Sequence, residues 1–162
     1  MLTGLSIRDV VLIEALDLEF AGGLGVLTGE TGAGKSILLD ALGLALGARA
    51  DSGLVRSGAE KAQVTASFES PAYVAALLAD NDIDIEMDEP LIIRRSVKAD
   101  GGSKAFINDQ PCSAALLREV GAALVEIHGQ HDDRGMLNAR EHRSLLDAFG
   151  RSDTATVSAN FS

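Results

Sequence analysis

Gly29-Glu30-Thr31-Gly32-Ala33-Gly34-Lys35-Ser36 is the segment whose residue types and spacing point most directly to chemistry. It reads Gly, four residues, then Gly-Lys-Ser, the spacing of a P-loop or Walker A phosphate-binding loop. Glycines let the backbone curl so that successive N–H groups face phosphate oxygens, and a helix that starts at the loop adds the positive end of its dipole. Lys35 would reach the β- and γ-phosphates as a point charge, and Ser36 would offer its hydroxyl to Mg²⁺. With glycine at ~7% of residues, the full pattern arises by chance in well under about one chain in a hundred of this length. A glycine-rich turn that held no ligand would have no need of Lys35 and Ser36 at that offset.

A phosphate loop does not by itself choose between kinase, GTPase and ATPase. No Asn-Lys-x-Asp base-reading motif occurs, which lowers the GTPase reading and leaves ATP with Mg²⁺ as the expected ligand. Hydrolysis also needs an acidic residue for Mg²⁺ and a group to position water, usually at the end of an apolar strand. Asp40 falls within the helix after the loop, Asp147 follows Leu145-Leu146 on a later helix, and Glu126 is followed by Ile127 rather than by a second acid. The catalytic half of an ATPase site is not evident in these residues.

Elements that would position the loop can be read from hydrophobic period. Leu5, Ile7 and Val10 to Ile13 suggest one strand, and Leu16, Leu18 and Phe20 alternate with Asp17 and Glu19 in a second. Gly22-Gly23 turns into a short apolar run, Gly25 to Thr28, followed by the loop and a helix from about Lys35 to Leu46. Ala62 to Glu69 alternates again and reads as an antiparallel strand. Ser70-Pro71 is a helix start, with Tyr73, Val74, Leu77 and Leu78 as its apolar stripe. Leu91 to Val97, the turn Asp100-Gly101-Gly102 and Lys104 to Asn108 predict a β-hairpin. Ser113 caps a helix to Val120, Ala122 to Ile127 has the length of a buried strand, and Asn138 with Glu141 forms a capping box for a last helix closed by Gly150. The expected fold is therefore α/β, a P-loop NTPase lobe with a mixed sheet and an antiparallel β-hairpin subdomain. Residues 1–150 would form one lobe and residues 151–162 an irregular tail.

Composition narrows the partners. The 162 residues carry a net charge of −10, so any contact with nucleic acid must be local. Arg94, Arg95, Lys98 and Lys104 make the hairpin the best place for it, although an ordinary exposed hairpin explains the same charges. Arg49 and Arg56 could face nucleotide or DNA from the linker. Six acids fall between Asp80 and Glu89 and read as a solvated face; a calcium loop would need Gly at Ile85 and Glu at Leu91. His128 and His131 match no zinc spacing, and Cys112, the single cysteine, reads as inert in a reducing cytoplasm. No stretch approaches the ~18 apolar residues of a membrane span.

Four ordered segments resemble the RecN family of bacterial DNA repair proteins, in the SMC-like branch of ABC ATPases. They are Thr28-Gly29-Glu30-Thr31-Gly32-Ala33-Gly34-Lys35-Ser36-Ile37, Val55-Arg56-Ser57-Gly58-Ala59, Phe106-Ile107-Asn108 and Ile127-His128-Gly129-Gln130-His131. The resemblance covers about Met1 to Gly150 and implies the N-terminal lobe of an ATPase head, truncated before any coiled coil. It implies that Gln130 is the Q-loop glutamine, touching Mg²⁺ and the attacking water, so that Lys35 and Gln130 are the catalytic pair and Ser36 and Gln130 the metal contacts. It further implies a C-terminal head lobe and a second head as partners, sandwiching ATP, and DNA double-strand break repair and recombination as the work of the full-length protein, in the cytoplasm and on the nucleoid. The family's signature motif and acidic strand lie in the other lobe, so these residues alone are expected to bind ATP without hydrolysing it. After Gln130 the chain reads His131-Asp132-Asp133-Arg134-Gly135-Met136, more acidic than the family pattern. Two other readings of the same loop are a small-molecule phosphotransferase and a non-catalytic module that dimerises on nucleotide.

Overall fold

A computed structural model describes residues 1–23, 25–26, 32–69, 72–86 and 88–125. They belong to one compact unit, Met1–Val125. Gly29, Glu30, Thr31 and Gln130 lie outside the described residues, as do Glu126, the histidines His128 and His131, Asp147 and the expected last helix.

The order of elements is β1 (Leu2–Val10), β2 (Ile13–Glu19), α1 (Gly32–Ala45), β3 (Lys61–Phe68), α2 (Ala72–Ala79), β4 (Leu91–Lys98), β5 (Ser103–Ile107), β6 (Gln110–Cys112) and α3 (Ala114–Leu124). The strands form a sheet in the order β2-β1-β3-β4-β5-β6, with every neighbouring pair antiparallel. The expected mix with parallel strands does not occur among the described residues. Gly25 and Val26, from the apolar run before the loop, lie in no strand, and Val26 is 74% exposed.

Period-two alternation builds the core. Ala62, Val64, Ala66 and Phe68 of β3 all point to one face and are fully buried, beside Leu5 and Ile7 of β1 and Leu91, Ile93 and Val97 of β4. Helix α1 covers that face, touching β1, β3 and β4 and burying Ala41, Leu44 and Ala45. The opposite face carries Arg8, Gln63, Thr65, Arg94 and Ser96, which are only half-buried.

Helix α1 ends in a left-handed cap. Ala48 N–H donates to the Gly43 carbonyl at 3.0 Å and Gly47 N–H to the Leu44 carbonyl at 3.2 Å, with Gly47 at φ +95°, the pattern of a Schellman motif. This end of α1 lies against α3. A Cβ on Gly47 would stand 2.6 Å from the Arg118 nitrogen, and one on Gly121 would stand 2.7 Å from the Leu46 carbonyl oxygen. Two glycines therefore let the helices meet backbone to backbone.

Helix α3 corrects one expectation. Ala122 to Leu124, whose apolar run predicts the start of a buried strand, instead continue the helix that Ser113 opens. A short apolar run fits either a strand or the buried side of a helix, and Gly121, which suggests a break, serves packing. The Ser113 hydroxyl accepts the Leu116 N–H at 3.1 Å. Ser113→Ala is expected to cost about 1 kcal/mol, read as a fall of roughly 2–4 °C in thermal midpoint.

Two further departures have local causes. Tyr73, expected in the core with Val74, Leu77 and Leu78, is 60% exposed and donates its hydroxyl hydrogen to the Ala123 carbonyl at 3.0 Å. Its ring is thus held across α2 and α3, while Val74 and Leu78 fill the core. Strand β6 follows Asn108 and Asp109, both at positive φ, a two-residue hairpin turn of the type that Asn and Asp tolerate. The Asn108 side chain fixes that turn to the start of β4, accepting from Ile92 N–H at 2.7 Å and donating to the Pro90 carbonyl at 3.3 Å.

Candidate functional site

The helix begins three residues before Lys35, at Gly32, so the last part of the phosphate loop is the first turn of α1. Gly32 and Ala33 open the helix; Gly34, Lys35 and Ser36 follow and are exposed. Glycine is a poor helix former, which is why the pattern of side chains predicts a start near Lys35. The consequence is chemical. The first N–H groups of a helix have no partner within it, and here they belong to Gly32 and the residues directly after it.

Electrostatics at this end favour an anion. The first turn of α1 contains no acidic residue, so the positive end of the dipole meets no carboxylate of the helix's own. Space is open as well: a Cβ on Gly34 would meet nothing within 4 Å, so this glycine is not required by packing in the way Gly47 and Gly121 are. What Gly34 leaves free is close approach to the backbone. The anchoring is uneven along α1. Gly34 to Ser36, Leu39 and Asp40 are exposed, while Ala41, Leu44 and Ala45 are buried against the sheet. The C-terminal half holds the helix and the N-terminal half presents the loop.

Asp40 is exposed on α1 and ends no strand, as its sequence context indicates. Among the described residues no group of three His, Cys, Asp or Glu side chains is placed to hold a metal ion. The residues expected to complete a magnesium site, Gln130 above all, lie outside the described set, so the structure brings together Gly32 to Ser36 and no second half.

The four basic residues assigned to the hairpin do not share a surface. Arg94 lies over the Phe106 ring at 4.6 Å and pairs with Asp109 at 3.1 Å. Arg95 faces the core and is 3% exposed. Only Lys98 and Lys104 remain at the open end, where Lys61 joins them around a shallow cavity of about 270 Å³. Lys61 and Lys98 are directly opposite each other on β3 and β4. The alternation Leu91, Ile93, Arg95, Val97 puts Arg95 on the buried face, apart from the other three. Arg56 pairs with Asp9 at 3.7 Å and Glu14 at 3.8 Å, bracing the β1–β2 turn, and Arg49 is exposed. The acidic run between α2 and β4 is largely exposed and is tied back by Gln110, which donates to the Asp84 carbonyl at 2.7 Å.

A family model described as an AAA domain matches residues 5–139. Among curated proteins, the DNA repair protein RecN of Xylella fastidiosa is 40% identical over 154 residues, 95% of this chain and 28% of that protein. RecN of Haemophilus influenzae is 44% identical over 155 residues, 92% of this chain and 27% of that protein. The chain thus spans little more than a quarter of the length of these relatives. Among solved structures, one concerned with ATP-driven dimerization and DNA-stimulated activation of SMC ATPases superposes with a TM-score of 0.65 at 23% identity, covering 90% of this chain and 97% of that one. The recombination mediator RecF with ATP gives a TM-score of 0.61 at 21% identity, covering 91% of this chain and 37% of that one. At such identities the likeness is one of fold.

Proposed function

The chain belongs to the AAA domain family, and on that premise we propose that it is the ATP-binding lobe of a RecN-like ATPase acting in DNA double-strand break repair. The observation that carries this reading is the start of α1 at Gly32, which sets Lys35 and Ser36 at the helix's positive end with no acid in its first turn. ATP phosphates would lie on the N–H groups of the loop, with the Lys35 ammonium neutralising the β- and γ-oxygens. Mg²⁺, when bound, supplies charge neutralisation between those phosphates, and the Ser36 hydroxyl and Gln130 are the groups we assign to it.

The partners we assign are a C-terminal head lobe and a second head, and DNA in the full-length protein. Support comes from Val26, 74% exposed, and Leu39, 48% exposed, apolar side chains that flank the loop in sequence and are of the kind a partner lobe would cover. The solved relatives concerned with ATP-driven dimerization are consistent with this assignment. Among the described residues no helix is long and apolar enough to cross a membrane.

The purified 162 residues are expected to bind ATP weakly, more tightly with Mg²⁺ than with EDTA, and to release no phosphate above the buffer rate. Equilibrium titration with a fluorescent ATP analogue, beside a phosphate-release assay, checks both halves. Magnesium-dependent turnover that disappears in Lys35→Ala would overturn the assignment of hydrolysis to residues elsewhere. Failure to bind any nucleotide would overturn the site itself.

A further inference from the structure

A second cluster of positive charge lies far from the phosphate loop. Arg95 is 3% exposed, yet among the described residues its Nε and Nη1 have no hydrogen-bond partner, while Nη2 donates to Ser103 Oγ at 3.3 Å. Buried arginines are normally paired, because an ionised group without a partner is expensive to keep from water. Arginine does not escape by losing its proton. Burial is the main influence disfavouring the charge of Arg95; Cys112 opposes it and Arg118 adds to it more weakly.

Arg95 forms part of the wall of a cavity of about 470 Å³, together with Ser103, Lys104, Cys112 and Ala114. Among the described residues no acidic side chain lines it. Ala114 is the first residue of α3, an eleven-residue helix with no acid in its first turn, so the helix's positive end adds to the same region. The cavity lies toward the C-terminal end of α1, where Gly47 abuts Ala114 and Arg118. The 14-residue helix separates it from the phosphate loop by about 20 Å.

We infer that this cavity is a second anion site, which takes a phosphate group on Arg95 and Ser103 beside the first turn of α3, distinct from the P-loop. Phosphate is favoured over carboxylate because the donors sit on different strands and a tetrahedral anion has oxygens to meet donors from several directions. The inference does not depend on the nucleotide reading of Gly29 to Ser36.

Cys112, the only cysteine of the chain, lies in the cavity wall and serves as a local reporter that phosphate bound at the P-loop would not touch. Iodoacetamide alkylation of Cys112 is followed by mass spectrometry at increasing inorganic phosphate, at constant ionic strength in chloride, with acetate as a parallel series. Phosphate is expected to slow alkylation saturably by at least about threefold, as occupied cavities exclude reagent. Acetate is expected to have little effect. Arg95→Met should lose the protection and Arg95→Lys keep part of it. Arg95→Met should also raise the thermal midpoint without phosphate, since it removes an unpaired buried charge. Equal rates in phosphate and chloride would overturn the site. Protection that survives in Arg95→Met would overturn the role of Arg95, and protection by acetate alone would overturn the assignment to phosphate. Should Arg95→Met not fold, the wild-type and Arg95→Lys alkylation series decide the question on their own.

Discussion

Lys35→Ala is expected to weaken ATP binding by about ten- to a hundredfold, since a hydrogen bond to a charged group contributes about 1.5–3 kcal/mol and 1.4 kcal/mol is a factor of ten. The same substitution is expected to leave the fold intact. Lys35 is exposed at the free half of α1, and surface substitutions of this kind stay within about 0.5 kcal/mol. Isothermal titration with Mg-ATP and a thermal melt of each protein check the two statements together. Unchanged affinity would mean that the ligand is held elsewhere. A large fall in thermal midpoint would mean that Lys35 supports the helix rather than a phosphate.

The largest effect on stability is expected at Gly47. An alanine there must adopt φ near +95°, a left-handed conformation that costs about 1–2 kcal/mol for a residue with a Cβ. It must also push its Cβ away from the Arg118 nitrogen at 2.6 Å, a backbone atom that cannot swing aside. Overpacking typically adds about 1–3 kcal/mol. Gly47→Ala should therefore lower stability by about 2–5 kcal/mol. Gly58→Ala is the natural comparison, because Gly58 has φ +86° but open space around it, so only the conformational part applies. Urea unfolding of both variants separates strain from crowding. If Gly47→Ala costs no more than Gly58→Ala, the α1–α3 contact is looser than described.

Much of this was legible from residue pattern because one face of the sheet is dry and the other wet. Ala62 to Phe68 alternates cleanly and Leu91 to Val97 does so except at Ile92 and Arg95, and both are strands within a residue or two of the expected bounds. Ser113 announced α3 by its capping chemistry. What stayed hidden depended on long-range contact. Gly121 reads as a helix breaker until Leu46 is seen beside it, and Gln110-Pro111-Cys112 is too short and too poor in β-branched residues to read as a strand before Asn108 and Asp109 are known to turn. In the candidate site, the spacing from Gly29 to Ser36 was legible at once, whereas the start of α1 inside the loop was not, since glycine carries no helical signal. The role of Gln130 rests on resemblance, its position lying outside the described residues.

The margins of the sheet bear on how copies of this chain meet. An outer strand offers unpaired backbone groups that can recruit a strand from another molecule. At one margin β2 carries Glu14, Asp17 and Glu19 and no basic residue, so a second copy approaching edge to edge brings like charges together. At the other, β6 is three residues long and its middle residue is Pro111, which has no N–H to give. Both margins are thus poor templates for fibre-like stacking. Among the described residues, neither margin of the sheet invites open-ended growth by strand addition.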